Sequence, residues 1–305
     1  MTGNMDFIQS FWIDTEVESP EKSTGGWLDP TFHYLSWILS CSLIHEKYGS
    51  VSLFCNSAGK SILVDSLRLP YKKIDLSIDS MDFPSSKIWV FKKLYIYSIQ
   101  NAPFLHIDGD VFLFENLPDT ILNNPISIQN FEKDFLSYRE IDRWIRSTIS
   151  LPCEFDGNQS CMAINVGIVG GTEVRRFSEF YRHLVKFYSS NCVDLDQLCS
   201  KSGDLNRYIE QLLLYNFLTN SGVNIKPVIA NNIYNSAYIG FARLERYPHL
   251  KYAHLMSRFK LDRSLCHHLA SIVYKRYPNK FFDLKELLGD DFDAALDEIK
   301  YKIPI

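Results

Sequence analysis

The sequence predicts an α/β fold, a mainly parallel sheet flanked by helices and followed by C-terminal helices. Three observations predict it. Candidate strands and helices alternate from Asp6 to Ile107, the pattern of a parallel sheet with helical crossovers. The run Phe104–Ile107 is apolar or nearly so throughout, as a strand buried on both faces must be. Beyond Ser264 the apolar residues recur at helical spacing.

Asp6–Ile13 reads as the first strand, leading into a polar loop with Pro20 and the flexible pair Gly25-Gly26. Asp29-Pro30 starts a helix, aspartate as cap and proline in the first turn, and Gly49 stops it. Tyr34, Leu35, Ile38, Leu39, Ser42 and Leu43 follow its spacing. Val51–Asn56 is a second strand, Ala58–Leu67 a helix ending before Pro70, and Ile74–Ile78 a third strand. Pro84-Ser85-Ser86 caps a helix over Lys87–Gln100, which runs into the strand Phe104–Ile107. Further on, the pattern predicts helices over Phe131–Ile149, 172–190, Asp204–Thr219, Ser264–Tyr277 and Leu284–Ile299. Strands are predicted over Cys161–Gly171 and Val228–Ile233, and the segment Lys251–Lys260 carries His254. Cys266, His267 and His268 open the Ser264–Tyr277 helix, but adjacent helical residues point about 100° apart and make no metal pair. We take residues 1–305 as a single domain, with a catalytic core over about 5–260 and a helical extension over 261–305.

Hydrophobic content of 46% with 22% charged residues is that of a globular protein. A net charge of −4 offers no basic footprint for nucleic acid. The seven cysteines lack Cys-x-x-Cys spacing, which argues against a zinc site, and their odd number suits a reducing compartment. Asp6 and Gln9 interrupt the only candidate leader, and Tyr34–Ile44 is about half the length that spans a bilayer. The expectation is a cytoplasmic protein with no transmembrane segment.

The chemistry centres on Asp108-Gly109-Asp110. An open α/β sheet binds ligands at the carboxyl ends of its strands, and the two carboxylates stand at such an end. Residues two apart in an extended segment share a face, so both could reach one hard cation, and Gly109 permits a close approach. A divalent ion held by one or two carboxylates and by ligand phosphates is the usual nucleoside-diphosphate arrangement. A bare Asp-x-Asp is equally compatible with a capping or turn-forming pair. Ser10, Phe11 and Trp12, ending the first strand, and Asn56, ending the second, occupy positions that could border a base.

Four stations in this order resemble a GT-A nucleotide-sugar glycosyltransferase, most closely the retaining glycogenin and lipopolysaccharide-galactosyltransferase-like group. They are Lys93-Leu94 before the aspartates, Asp108-x-Asp110 with its apolar continuation, Asn165-Val166-Gly167, and His254 followed six residues on by Lys260. Two departures stand out: Glu210-Gln211 replaces the family's Asp-Gln, and the Pro-Trp after the late lysine is missing. The resemblance implies a GT-A, Rossmann-like fold and transfer of a hexose from a nucleoside-diphosphate sugar, with UDP as the expected carrier, to an acceptor it does not identify. It implies Mn²⁺ or Mg²⁺ on Asp108, Asp110 and His254, with Lys93 or its neighbour Lys92 and Lys260 on the diphosphate. Asn165 and Gly167 would meet sugar hydroxyls, and Glu210 and Gln211 would lie near the anomeric carbon. Retention would have the acceptor attack from the face of the departing phosphate. Residue type alone allows other readings: His254 as a bonded core histidine, Glu210 on an exposed helix face.

A haloacid-dehalogenase-like phosphatase is the rival enzyme class, with Gly289-Asp290-Asp291 as its second acidic motif. That family begins with its Asp-x-Asp strand and needs a hydroxyl where Phe112 stands. A non-catalytic sugar-nucleotide-binding protein of the same fold is the other alternative.

Overall fold

A computed structural model describes residues 5–16, 18–85, 87–133, 136–157, 162–201, 204–229, 233–234 and 242–297. Cys161, which opens one predicted strand, residues 230–232 of Val228–Ile233 and residues 298–299 of the last predicted helix lie outside these. The strands are β1 (Asp6–Phe11), β2 (Ser52–Cys55), β3 (Lys73–Asp75), β4 (Phe104–Ile107), β5 (Val111–Leu113), β6 (Ile126–Glu132), β7 (Ala163–Gly171), β8 (Ile225–Pro227), β9 (Ile233–Tyr234) and β10 (Tyr252–His254). Two compact units are interleaved along the chain. The first gathers the described residues within Phe7–Ser80, Asp108–Asn116 and Ile239–Ile305; the second gathers those within Met1–Asp6, Met81–Ile107 and Leu117–Tyr238.

In the first unit β1 pairs with β2 and β2 with β3, all parallel. The helix Pro30–Tyr48 joins β1 to β2. Asp29 caps it by accepting from Thr31 N at 2.8 Å, and Gly49 ends it in the left-handed region with φ 73°. Every residue from Thr31 to Ile44 is buried, polar ones included. The cause is cover from several sides: the helices Arg263–Arg276 and Pro278–Leu288 and the strand β5 all pack on it. The C-terminal helices are present as expected, but the last one starts earlier, at Pro278, and Gly289 breaks it before Asp290–Asp297. Asn56 caps a helix at Ser57–Lys60 that widens into a π-turn over Ser61–Ser66. β3 stops at Asp75, whose carboxylate accepts from Ser77 N at 2.9 Å and starts the short helix Ser77–Ser80.

In the second unit β7 lies antiparallel between β4 and β6, and β8 and β9 extend β6 in parallel. The fold is thus α/β with a mixed, mainly parallel strand arrangement flanked by helices. β6 falls partly where a helix was expected: Phe131 and Glu132 are strand, and the helix runs over Leu136–Thr148. Both faces of β6 are buried, so its polar residues do not alternate out to solvent. The helix expected at 172–190 runs over Arg175–Lys201 with a kink at Asn191, and packs on Val90–Ser98. Among the described residues, no helix is long and apolar enough to cross a membrane.

Candidate metal centre

Asp108-Gly109-Asp110 is a turn, not the extended segment its spacing suggested. Val111 N donates to Asp108 O at 3.1 Å, and β5 begins there. Turning the chain still brings the carboxylates together. β5 pairs antiparallel with β10 in a register that sets His254 opposite Val111, and Leu255 N donates to Asp110 O at 3.1 Å. Asp108, Asp110 and His254 each offer a ligand atom within 4.8 Å of the others; among the described residues no other group of three does so. Two carboxylates and an imidazole, hard oxygens with one borderline nitrogen, fit a divalent cation. Asp290 and Asp291, the rival's second motif, open a C-terminal helix and do not join the cluster.

Asp110 carries the electrostatics. Its oxygens meet His254 Nε2 at 3.3 Å and Lys260 Nζ at 2.8 Å. Burial alone would raise its carboxyl, but the charges and hydrogen bonds of Lys260 and His254 hold it well below the usual carboxylate range. The anionic form a cation requires is therefore already in place.

The turn is held from the side of the Pro30–Tyr48 helix. Ser40 Oγ donates to Asp108 O at 3.2 Å, Gln9 Nε2 to Ser40 Oγ at 2.9 Å, and Tyr71 OH to Gln9 Oε1 at 2.8 Å. The Trp37 ring lies so close to Gly109 that a Cβ there would stand 2.4 Å from it. Trp37 Nε1 donates to His33 Nε2 at 3.1 Å, and His33 Nδ1 donates to Ser23 O at 2.9 Å. Both bonds need the neutral ring, and burial pushes His33 down to about 4. Gly25, at φ 52°, accommodates that ring, since a Cβ there would meet it at 2.4 Å. Lys260 approaches Gly25 O at 3.5 Å and lies over the Trp27 ring at 5.8 Å, while Leu28 N donates to Lys260 O at 3.0 Å.

Phe11, which ends β1, is buried with its ring centroid 4.8 Å from that of Trp37, and its neighbours Ser10 and Trp12 are half-buried. Asn56 accepts from Gly59 N at 2.9 Å and donates to Ile13 O at 2.7 Å, so its amide serves the backbone.

The remaining candidates lie in the second unit. Lys93 is buried and pairs with Glu210 at 2.8 Å, whereas Lys92 is half-buried. Glu210 is therefore not on an exposed face; it sits in a π-turn over Tyr208–Leu213. Asn165 Nδ2 donates to Glu132 Oε1 at 2.7 Å and its Oδ1 accepts from Gly167 N at 3.0 Å. The Tyr138 hydroxyl lies between Glu132 Oε2 and Gln211 Oε1, free to donate to one at a time. Burial, reinforced by Glu132, pushes this phenol well above its ordinary value. His106, wholly buried, is pushed well below its ordinary value by burial and by Lys93. Glu132, Tyr138, His33 and Trp37 were not among the residues singled out from sequence. No short motif in the sequence marks them.

No curated protein matches the sequence. The chain is similar to several solved structures. Mouse xyloside xylosyltransferase 1, apo form, is 13% identical, with TM-score 0.41, over 72% of this chain and 84% of that one. The galactosyltransferase LgtC, in complex with donor and acceptor sugar analogs, is 12% identical, with TM-score 0.36, over 72% and 73%. The apo bifunctional glycosyltransferase WbbM is 12% identical, with TM-score 0.33, over 61% and 35%. Residues 5–287 match DUF6734, a family of unknown function, and the chain belongs to it.

Proposed function

We propose that the protein is a metal-dependent glycosyltransferase of GT-A type, moving a hexose from a UDP-sugar to a hydroxyl-bearing acceptor with retention. One observation carries the reading: Asp108, Asp110 and His254 converge within 4.8 Å, and an ammonium, Lys260, stands 2.8 Å from Asp110. A diphosphate needs a divalent cation and a neighbouring positive charge, and this group supplies places for both. The ordered resemblance of Lys93-Leu94, Asp108-x-Asp110, Asn165-Val166-Gly167 and His254 with Lys260 to the glycogenin-like group supports the same reading.

When bound, Mn²⁺ or Mg²⁺ supplies Lewis-acid neutralisation of the charge that builds on a departing nucleoside diphosphate. Asp108, Asp110 and His254 hold the cation. Lys260 offers its ammonium to the diphosphate once Asp110 is committed to the metal. Asn165, its amide oriented by Glu132 and Gly167, and Gln211, oriented by Tyr138, present hydrogen-bonding groups to sugar hydroxyls. Lys93 holds Glu210 in a fixed place. Because the acceptor oxygen attacks from the face that the phosphate leaves, retention requires no protein nucleophile, and an oxygen of the leaving diphosphate takes the acceptor proton. The cysteines described are free, which fits the cytoplasmic assignment.

Calorimetric titration of UDP with Mn²⁺, repeated with EDTA, tests the reading. GDP belongs in the same series. Binding that the chelator abolishes is expected; failure of every nucleoside diphosphate to bind would overturn it.

A further inference from the structure

We propose that His33 and Trp37 are positioning residues for the cation site, and that through them the Ser23–Leu28 loop and the Asp108–Asp110 turn move as one element. The proposal rests on the function above for what occupies the site. The linkage itself is carried by contacts within one unit.

His33, Trp37 and Ser40 share a face of the Pro30–Tyr48 helix, being separated by about one and two turns. Each touches a different part of the arrangement. His33 donates to Ser23 O in the loop, Trp37 presses its ring on Gly109 and donates to His33, and Ser40 donates to Asp108 O. Only one neutral tautomer of His33 satisfies both of its bonds, and rotating the ring out of place breaks both together. With the indole N–H held by His33, the ring occupies the space a side chain at 109 would fill, so the turn cannot swing toward the helix. A second tie closes the circuit: Lys260 pairs with Asp110, reaches Gly25 O, and accepts from Leu28 N through its own carbonyl. Loop and turn are thus joined by two routes that share no residue between them. Displacing the loop releases His33, then Trp37, and so changes the spacing of Asp108 and Asp110.

Trp37→Phe keeps a ring against Gly109 but removes the N–H. His33→Asn sets an amide nitrogen near the place of Nδ1, keeping the Ser23 bond and losing the one to Trp37. Mn²⁺ affinity is read by calorimetry on the full chain. Hydrogen exchange is followed at Trp27 and Leu28 in the loop, at Val111 after the turn, and at Val169 in β7 as a control. Both variants should weaken Mn²⁺ about tenfold, the effect usual for partners that orient metal ligands. Exchange should quicken at loop and turn together while Val169 is unchanged; a general loss of stability would quicken all of them. Unchanged Mn²⁺ affinity, or a loop that loosens without the turn, would overturn the proposal. Should the wild-type chain bind no divalent cation, the function proposed above falls, and joint or separate exchange at loop and turn still decides the linkage.

Discussion

Glu210→Gln should be among the costliest single changes in the second unit. Lys93 and Glu210 have side chains only 7% and 4% exposed, with Nζ and Oε1 2.8 Å apart. At that separation two unit charges attract by about 6 kcal/mol at an effective dielectric of about 20. Most of this offsets the cost of taking both ions out of water, so the intact pair contributes little net stability. Removing one partner is different, because the other is left buried without this counter-charge, at a cost of about 3–5 kcal/mol. For a folding unit of about 150–250 residues, each kcal/mol shifts Tm by about 2–4 °C, giving a fall of about 6–20 °C. Lys93→Met should fall comparably, yet Lys93→Met with Glu210→Met should recover most of the loss, since no ion remains to be desolvated. Calorimetric melting of the two single variants and the double forms the required cycle. A Glu210→Gln protein melting within about 2 °C of wild type, a cost of about 1 kcal/mol or less, would refute the premise of a desolvated pair. A double variant no more stable than the singles would refute the account of the cost. If Glu210 also faces the donor sugar, the double variant regains stability without turnover.

Asp110→Asn should abolish Mn²⁺-dependent UDP binding by calorimetry while the fold persists. Because Asp110 is held below the usual carboxylate range, its contribution to stability is present above the unfolded pKa of about 4 and is lost as pH falls below it. The stability gap between wild type and Asp110→Asn should therefore narrow under acid; a gap constant to about pH 2 would refute this. His33 has the opposite bookkeeping of protons. With its folded value near 4 against 6.5 unfolded, the unfolded state binds more protons in between, so stability should climb with pH across that window by about 3 kcal/mol. Urea unfolding of His33→Gln should show that climb flattened, and an undiminished climb would place the titration elsewhere. Gly109→Ala drives a methyl into the Trp37 ring and should cost about 1–3 kcal/mol with weaker Mn²⁺ binding, partly restored by Trp37→Leu. Asn56→Ala loses the cap on Gly59 N and the tie to Ile13, and thermal melting should show a loss of about 1–2 kcal/mol.

The parts legible in sequence are those whose cause is local. A buried strand reads as an apolar run, so β4 and the carboxylates that follow it could be located, and Asp29-Pro30 with Gly49 marked both ends of a helix. His254 could be reached only through its spacing to Lys260, because what places it beside Asp110 is the pairing of β10 with β5, a contact no periodicity reports. β6 was missed for a related reason: its polar residues break the apolar run of a buried strand, whereas strands pair along both its edges and both its faces are covered.

His33, Glu132 and Glu210 make the same point from their side chains. Helical or strand periodicity assigns a lone polar residue to solvent, because the pattern of apolar positions does not report the groups that satisfy it when buried. Here those groups are Ser23 and Trp37 for His33, Asn165 and Tyr138 for Glu132, and Lys93 for Glu210. Burying a polar or charged group without such partners is costly, so each of the three marks a place where several elements must arrive together. Each also adjoins a residue already suspected on chemical grounds: the Asp108–Asp110 turn by way of Trp37, then Asn165, then Lys93. A position that local periodicity assigns to water and tertiary partners bury is thus a physical pointer to a constructed site. That pointer directs mutagenesis to Glu132 and His33, which no short motif in this chain would have selected.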